Sequence, residues 1–404
     1  MNWLQTLGFL WVSTTSSVEE GSANRSLHEP VLKWRLDIVP ELQNSTSVQY
    51  SGVSTYNELL YLGTSNRSGV LMVDHRYGVR VGRLNTSAPV QATPTILTVN
   101  GEQQLFAVDL SGMVYAWKLP TQSTQAVNES YQSKPQSNRS HDHLVLWETA
   151  LDIPVNTPIE SDGQNLFVST NNDIVYALDL AGTVRWRFSH KVSPTRKGNL
   201  QLFGAGSPLL LEDSIVVGFS DGAVLRLSKS DGTVLEKVYN GDGRYPDVIA
   251  KPAAVQGGIL ISGFEQPSYK ESKETVLWSQ SFGSVQGSIV DPVQGNDTIV
   301  YHAGSDGKLR KLDTTTGAVI WEWDSDTGAA LTTPLWFDDQ ILIASHVSGL
   351  FLIDSSTGAE SWRSRLHHRQ TGYMHTPVIH ECSIYGITTK GFLEEYSVCS
   401  KTEP

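Results

Sequence analysis

Short apolar segments recur along the chain, and turns containing Gly, Asn or Asp separate them. The clearest example is SDGKLRKLDTTTGAVIWEW, residues 305–323, in which two apolar runs flank a Thr-Gly turn and the second run carries Trp. Apolar and polar positions that alternate over four to eight residues predict half-buried β-strands. We find no helical period of useful length, so the pattern predicts an all-β chain.

The same unit returns at other places along the chain. Further copies lie at residues 65–84, 171–188, 220–238 and 347–364. A four-stranded unit with a period in the forties is typical of a propeller blade. Eight final strands can be aligned, which predicts eight blades. Their matching positions are Trp34, Gly82, Trp147, Trp186, Glu236, Trp278, Trp321 and Trp362.

The two ends of the repeat region hold complementary parts of one unit. The N-terminal segment VLKWRLDI supplies only a final strand, whereas residues 376–398 supply only the first three. Joining them completes a blade and leaves no open sheet edge. The predicted fold is therefore an eight-bladed β-propeller of four-stranded blades over residues 31–399, closed by the N-terminal strand joining the C-terminal blade.

Three segments depart from the repeat. Residues 1–30 contain a short apolar run followed by small polar residues, which predicts a signal-like or flexible N-terminal segment. Residues 120–143 are rich in Gln, Ser and Asn and predict a mobile polar insertion within the second blade. The unit at residues 252–282 lacks a clear third strand around residues 267–273.

Charge and hydropathy narrow the possible partners. The 404 residues include 30 Lys plus Arg against 42 Asp plus Glu, which gives a net charge of −12. An acidic surface does not attract the phosphates of nucleic acids or of anionic lipids. No apolar run approaches the length of a transmembrane helix. We therefore expect no nucleic-acid partner and no transmembrane segment.

The chain has two cysteines, Cys382 and Cys399. If the Lys390-Gly391 turn has two residues, the flanking strands place these cysteines directly opposite each other. Opposed Cβ atoms in such pairs are about 4.5–5.5 Å apart, near the reach of a disulfide. The spacing favours a disulfide over two unrelated buried thiols, and a disulfide favours an oxidising compartment.

Motifs for catalysis and metal binding are missing from the sequence. It contains no G-x-S-x-G, H-E-x-x-H, Walker or C-x-x-C motif. Asp313 and Asp354 recur in register before Thr-Gly turns, which predicts that they accept hydrogen bonds from turn N–H groups. The repeated Trp residues predict packing between blades. We expect no catalytic residues, no metal and no cofactor, although four histidines lie near the C-terminus: His367, His368, His375 and His380.

Two long links between units are the strongest functional signal. They cover residues 189–206 and 239–251, whereas typical connections have about 4–6 residues. Links from the last strand of one blade to the first strand of the next emerge on one face of a propeller. Their apolar side chains and carboxylates suit a protein interface. The alternative is that the loops fold back and bury their own apolar groups.

The core D-x-x-T-G-x-x-x-W of the unit resembles the pyrroloquinoline-quinone-type propeller repeat. From residue 31 to residue 398, the chain resembles the BamB family. This resemblance implies a non-catalytic scaffold subunit of the outer-membrane β-barrel assembly machinery, located on the periplasmic face of the outer membrane. It further implies docking on the POTRA domains of BamA and help with the insertion of unfolded barrel precursors.

The resemblance also suggests which residues contact the partner. LQLFGAGSP, residues 200–208, is similar to a family segment with two leucines before an Arg, and GRYPDVIAKP, residues 243–252, is similar to an acidic family loop. BamB members carry a lipid on an N-terminal Cys, which this sequence does not support. The implied partner-binding residues are Leu200, Leu202, Phe203, Tyr245, Asp247 and Ile249.

Two alternatives stay open. One is a eukaryotic secretory-lumen propeller that acts as a sensor or chaperone subunit. A less favoured one is a relative of quinone-dependent dehydrogenases, whose vicinal cysteines and calcium-quinone site have no counterpart in the sequence. Seven Asn-x-Ser/Thr sequons favour the luminal reading, at Asn24, Asn44, Asn66, Asn85, Asn128, Asn138 and Asn296.

Overall fold

The structure is a computed structural model, and its regular secondary structure consists of β-strands. It describes residues 27–40, 48–120, 143–191, 204–240, 247–264, 269–272, 275–292, 297–364 and 371–399. Within these ranges, no helix is long and apolar enough to cross a membrane.

The strands follow one another in groups of four. The first group of strands is β1 (Leu27–Asp37), β2 (Val53–Tyr56), β3 (Leu59–Gly63), β4 (Ser68–Asp74), β5 (Val79–Pro89), β6 (Thr95–Val99), β7 (Glu102–Val108), β8 (Met113–Lys118) and β9 (Leu144–Ala150). Next come β10 (Glu160–Ser161), β11 (Asn165–Ser169), β12 (Ile174–Asp179), β13 (Val184–Ser189), β14 (Leu209–Leu210), β15 (Ser214–Gly218), β16 (Ala223–Ser228) and β17 (Val234–Asn240). Then follow β18 (Ala253–Val255), β19 (Gly258–Ile261), β20 (Tyr269–Ser272), β21 (Thr275–Ser279), β22 (Ser288–Val290), β23 (Ile299–Ala303), β24 (Lys308–Asp313) and β25 (Val319–Asp324). The last are β26 (Leu335–Phe337), β27 (Gln340–Ala344), β28 (Leu350–Asp354), β29 (Glu360–Arg363), β30 (Val378–His380), β31 (Ser383–Ile387) and β32 (Phe392–Cys399).

These strands form eight four-stranded sheets. Seven of them are blades of four consecutive strands, which we number blade 1 (β2–β5) to blade 7 (β26–β29). The eighth, which we call the terminal sheet, combines β1 with β30, β31 and β32. The prediction of an all-β propeller with four-stranded blades is confirmed.

Antiparallel pairing within each blade gives the molecule two distinct faces. The turns between strands one and two, and between strands three and four, open on one side, which we call the turn face. The turns between strands two and three open on the other side, together with the links to the next blade. We call this side the link face, and it carries both long links.

The terminal sheet joins the two ends of the described chain. β1 pairs antiparallel with β32, with Arg35 opposite Glu394 and Leu36 opposite Leu393. β1 begins at Leu27, earlier than the predicted start at residue 31. A continuous strand there covers the backbone edge of β32, which would otherwise be open to pairing with another chain.

The hydrophobic core lies between neighbouring sheets. Eight apolar clusters fill these spaces, and each joins residues from two sheets. In one of them, Tyr385 and Leu393 of the terminal sheet pack with Leu60 and Val73 of blade 1. The second and third strands of the blades are mostly buried on both faces. Burial of about 25 cal/mol per Å² of apolar surface at each seam is thus the main stabilising contribution.

A repeated contact between Trp and Gly links successive sheets. The Trp321 indole of blade 6 lies on Gly358 of blade 7, and its Nε1–H donates to the Ser355 carbonyl oxygen at 3.2 Å. This contact confirms the interpretation of the repeated tryptophans as packing between blades. The tryptophans that dock on a turn Gly in this way are Trp34, Trp147, Trp186, Trp278 and Trp321.

The repeated aspartates serve the turns, as predicted. Asp313 Oδ1 accepts hydrogen bonds from the backbone N–H groups of Thr315 and Thr316, both at 2.8 Å. Asp354 accepts equivalent bonds from Ser356 and Thr357. Hydrogen bonds lower the pKa of Asp354 to about 2. The largest effect comes from the Ser356 hydroxyl, and the hydroxyl and N–H of Thr357 contribute next. Hydrogen bonds to an ionised carboxylate favour that form.

The structure contains the Cys382–Cys399 disulfide, with Cα atoms 5.3 Å apart. The predicted turn is wrong by one residue, because Thr388 rather than Thr389 faces Phe392 across it. The added turn residue shifts the register, so the two cysteines are not directly opposed. The bridge still forms at the end of the sheet. The alternative of two unrelated thiols is therefore wrong.

Loss of this disulfide is expected to weaken the terminal sheet. Replacing Cys382 and Cys399 together by serine should lower the free energy of unfolding by about 2 kcal/mol, since the bridge restricts the unfolded chain. Urea unfolding of the variant and of the native protein, with and without reductant, measures this. Equal midpoints for all samples would show that the bridge contributes no stability.

Blade 5 has the third strand that the sequence interpretation missed. β20 pairs with β19 on one side and with β21 on the other. Its segment is polar and follows Pro267, so it lacks the apolar alternation that identifies strands. The predicted polar insertion falls almost entirely outside the described residues. At its C-terminal end, His143 is buried, and its Nε2 lies 3.1 Å from the Tyr61 hydroxyl.

Candidate partner-binding face

The two long links arise next to each other on the link face. The first runs from β13 to β14 and the second from β17 to β18. Their described portions are residues 190–191 and 204–208 of the first link, and residues 247–252 of the second. Of the predicted contact residues, Leu200, Leu202, Phe203 and Tyr245 lie outside the described part of the chain.

Both ends of the first link are fixed to neighbouring turns. At its start, the His190 N–H donates to the Asp173 carbonyl oxygen at 2.9 Å, and the His190 ring lies 4.5 Å from the Phe219 ring. His190 Nε2 is also 3.0 Å from a carboxylate oxygen of Asp221. At its end, the Ala205 N–H donates to the Thr170 carbonyl oxygen at 3.1 Å. The base of this link is therefore well defined.

The second link is anchored on the hairpin of β15 and β16, whose turn holds Phe219 and Asp221. The Val248 N–H donates to the Phe219 carbonyl oxygen at 3.2 Å. A Cβ on Gly218 would lie 2.1 Å from the Val248 carbonyl oxygen, so only glycine permits this approach. Gly206 of the first link donates its N–H to the Gly218 carbonyl oxygen at 3.0 Å. The β15–β16 hairpin thus supports the bases of both links.

The bases also contact each other directly. A Cβ on Gly206 would lie 2.7 Å from the Ile249 carbonyl oxygen. The structure therefore brings Asp247 and Ile249 beside the end of the link that carries the predicted leucines. Because two links converge at one place, residues projecting from them can form a single surface.

Asp247 and Ile249 differ in their exposure. Asp247 has 0% exposure, whereas Ile249 is partly exposed. The Phe264 N–H donates to the Asp247 carbonyl oxygen at 3.1 Å, which ties the link to blade 5. A partner contact by Asp247 stays a prediction, and its burial suits a residue that shapes the loop base. Ile249 is the better candidate for direct contact.

Buried acidic groups lie beneath this surface. The Ser220 N–H donates to Asp173 Oδ1 at 3.0 Å, and the Ser220 hydroxyl donates to the other carboxylate oxygen. Burial raises the pKa of Asp173 despite these bonds. Asp173 and Asp221 belong to turns of different blades, so no local sequence pattern connects them.

A second group of polar residues lies on the turn face. His75, His380 and Glu381 bring one ligand atom each to within 4.8 Å of one another. The sequence interpretation assigned no metal and considered His380 without His75. His75 lies in blade 1 and the other two in the terminal sheet, so only the folded chain brings them together.

Comparison with protein families identifies one match that covers most of the repeat region. A family model described as outer membrane protein assembly factor BamB matches residues 139–321 and 245–398. These overlapping stretches cover more than half of the chain.

Curated relatives point to the same family. The BamB protein of Francisella salina is 24% identical over 169 residues, which are 40% of this chain and 32% of the relative. That of Yersinia pestis is 20% identical over 251 residues, which are 59% of this chain and 61% of the relative. The chain thus spans about a third to three fifths of the length of these relatives.

Solved structures share the fold. BamB from Moraxella catarrhalis superposes with a TM-score of 0.65 at 13% identity, over 91% of this chain and 99% of that one. Sqt1 from Saccharomyces cerevisiae gives a TM-score of 0.63 at 10% identity, over 92% and 100% of the two chains. At such low identity these likenesses concern the fold alone, and the family follows from the matching model. The chain belongs to the BamB family of outer membrane protein assembly factors.

Proposed function

We propose that this protein is a scaffold subunit of an outer-membrane β-barrel assembly machinery. In this role it docks through its link face on the POTRA domains of a BamA-like barrel and assists the insertion of unfolded barrel precursors. Family membership supports the assembly role. The common base of the two long links on the β15–β16 hairpin supports the choice of face.

The character of the link face fits a binding role. Long loops on a rigid scaffold commonly carry binding residues, and apolar groups near carboxylates suit a protein interface. The β15–β16 hairpin is largely buried, since Ser214–Gly218 is buried throughout. A preorganised loop base reduces the entropy that is lost when a partner binds.

We further propose that the protein has no catalytic centre. Asp313 and Asp354, the carboxylates that recur in the repeat, are engaged by turn N–H groups. The tryptophans that dock on turn glycines are engaged between sheets. The residues that characterise the repeat thus have structural roles, which supports binding rather than catalysis.

The proposed location is the periplasmic face of the outer membrane. The Cys382–Cys399 disulfide supports an oxidising compartment, because disulfides are rare where thiols are kept reduced. A net charge of −12 also gives the surface no attraction for anionic lipid headgroups. Attachment through a partner protein fits these properties.

Calorimetric titration of this chain with the POTRA domains of BamA from the same organism tests the proposal. Leu202→Asp and Ile249→Asp should each weaken binding about tenfold or more, which corresponds to about 1.4 kcal/mol. A charge placed in an apolar contact must be desolvated on binding. Tyr77→Ser is the matched control, because Tyr77 is 64% exposed and lies on the turn face.

Each outcome decides part of the proposal. Binding that is lost in both link variants and retained in Tyr77→Ser supports the scaffold role and the link face together. Binding that only Tyr77→Ser weakens would move the interface to the turn face. If the folded native chain does not bind, the docking proposal is wrong and the secretory-lumen alternative becomes the preferred function.

A further inference from the structure

The group of His75, His380 and Glu381 lies at the seam between the terminal sheet and blade 1. His75 follows β4 in the turn that leads to β5. His380 ends β30, and Glu381 begins the turn to β31. Both turns open on the turn face, so this seam is remote from the long links. Two neighbouring sheets therefore contribute ligand atoms to one place.

Both imidazoles present a buried nitrogen without a hydrogen-bond partner. The Nε2 atoms of His75 and His380 are each buried and unpaired. The rings meet edge to face with their centroids 5.2 Å apart. A buried polar atom without a partner costs about 1–3 kcal/mol. Two such atoms in rings that contact each other require an explanation, and one cation bound by both nitrogens would satisfy them.

The hydrogen bonds around His75 orient its free nitrogen as a ligand. Glu395 Oε1 can only accept hydrogen bonds, so the Tyr385 hydroxyl, at 3.4 Å, donates to it. The Tyr385 oxygen then accepts from His75 Nδ1–H, at 3.0 Å. With the Tyr385 proton directed to Glu395, the proton of His75 lies on Nδ1 and its lone pair on Nε2. Metal-binding histidines are typically held by such outer hydrogen bonds.

Burial disfavours the charged form of His75. Burial lowers its pKa, and the neighbouring His380 lowers it further, against smaller opposing effects from nearby carboxylates. Neutral imidazole is the form that binds metals. Glu381 adds a negative charge from the exposed side of the group.

We propose that His75, His380 and Glu381 form a Zn²⁺ site that joins the terminal sheet to blade 1. Two imidazole nitrogens and a carboxylate oxygen are a common zinc ligand set, and water would complete the tetrahedron. Zinc bonds of about 2.0–2.2 Å require the ligand atoms to close from their present spread. The Glu381 side chain is exposed. The site would add a cross-link where the two chain ends meet the rest of the ring.

Calorimetric titration of the full chain with Zn²⁺, after removal of metals with a chelator, tests the site. The native protein should bind one equivalent, and Co²⁺ in its place should give the visible absorption of a tetrahedral complex. His380→Gln should weaken binding about 100-fold by removing a ligand, and Tyr385→Phe about tenfold by removing the partner of His75 Nδ1. Glu381→Gln removes the exposed carboxylate ligand and leaves the buried residues intact.

His190→Gln is the matched control, because His190 lies on the link face beside Asp221. It should bind Zn²⁺ like the native protein. Thermal unfolding gives a second readout, since Zn²⁺ should raise the Tm of the native protein and of His190→Gln but not that of His380→Gln. Equal Zn²⁺ affinity in the native, His380→Gln and Glu381→Gln proteins would overturn the proposal. Absence of binding to the folded native protein would also overturn it. Neither result bears on POTRA docking, which is assigned to the opposite face.

Discussion

Replacing Arg35 by alanine is expected to lower the free energy of unfolding by about 3–5 kcal/mol. Arg35 of β1 donates from Nε to Glu394 Oε1 of β32 at 2.7 Å. The Glu394 side chain is only 3% exposed. The hydroxyls of Tyr373 and Tyr396 donate to its other oxygen, Oε2. Without Arg35, this buried carboxylate would keep the two phenols but lose its cation.

An exposed ion pair provides the control for this prediction. Arg185 Nη2 lies 2.9 Å from Asp179 Oδ2, and 59% of the Arg185 side chain is exposed. Arg185→Ala should therefore lower the free energy of unfolding by less than about 1 kcal/mol. Adding Glu394→Gln to Arg35→Ala should recover part of the loss, because the amide carries no buried charge. Denaturant unfolding measures all four proteins, and similar midpoints for Arg35→Ala and Arg185→Ala would contradict the prediction.

Replacing Gly358 by alanine is expected to lower the free energy of unfolding by about 2–5 kcal/mol. Gly358 has φ +73°, where an added Cβ costs about 1–2 kcal/mol. This Cβ would also lie 2.7 Å from the Trp321 ring, and overpacking adds about 1–3 kcal/mol. The indole cannot move away freely, since its Nε1–H is bonded to the Ser355 carbonyl oxygen.

Gly328→Ala separates the two contributions. Gly328 has φ +62°, and nothing lies within 4 Å of its added Cβ. This variant should show only the backbone cost of about 1–2 kcal/mol. The difference between the two midpoints in urea then measures the Trp–Gly contact. No difference would mean that Trp321 does not depend on a glycine beneath it.

The repeated contacts explain why the fold could be predicted from the sequence. Asp313, Gly317 and Trp321 recur at fixed spacing because each serves the same turn or the same seam in successive sheets. Such local roles leave a pattern in the chain. The polar segment of β20 left no such pattern. Backbone pairing with β19 and β21 holds this strand in its sheet without an apolar alternation in its sequence.

The candidate sites were less predictable for a related reason. Loop length, apolar side chains and carboxylates indicated the long links, yet the anchoring of both on Gly218 and Phe219 depends on contacts between blades. Asp247 was expected to contact the partner from its place in an acidic loop, whereas the structure buries it. His75 forms a hydrogen bond with Tyr385, a residue 310 positions away in the chain. Spacing along the sequence cannot reveal such a pair.

The pairing of β1 with β32 has a consequence for how the protein is made. Arg35 and Glu394 are 359 positions apart, so the pairing of β1 with β32 waits until the residues between them have been made. At about 5–20 residues per second, this delay lasts about 20–70 s. During that time β1 is an N-terminal strand without a neighbour and can pair with other nascent chains. Protection by chaperones therefore matters most until β32 has emerged, and a ribosome stalled before that point would hold an open ring.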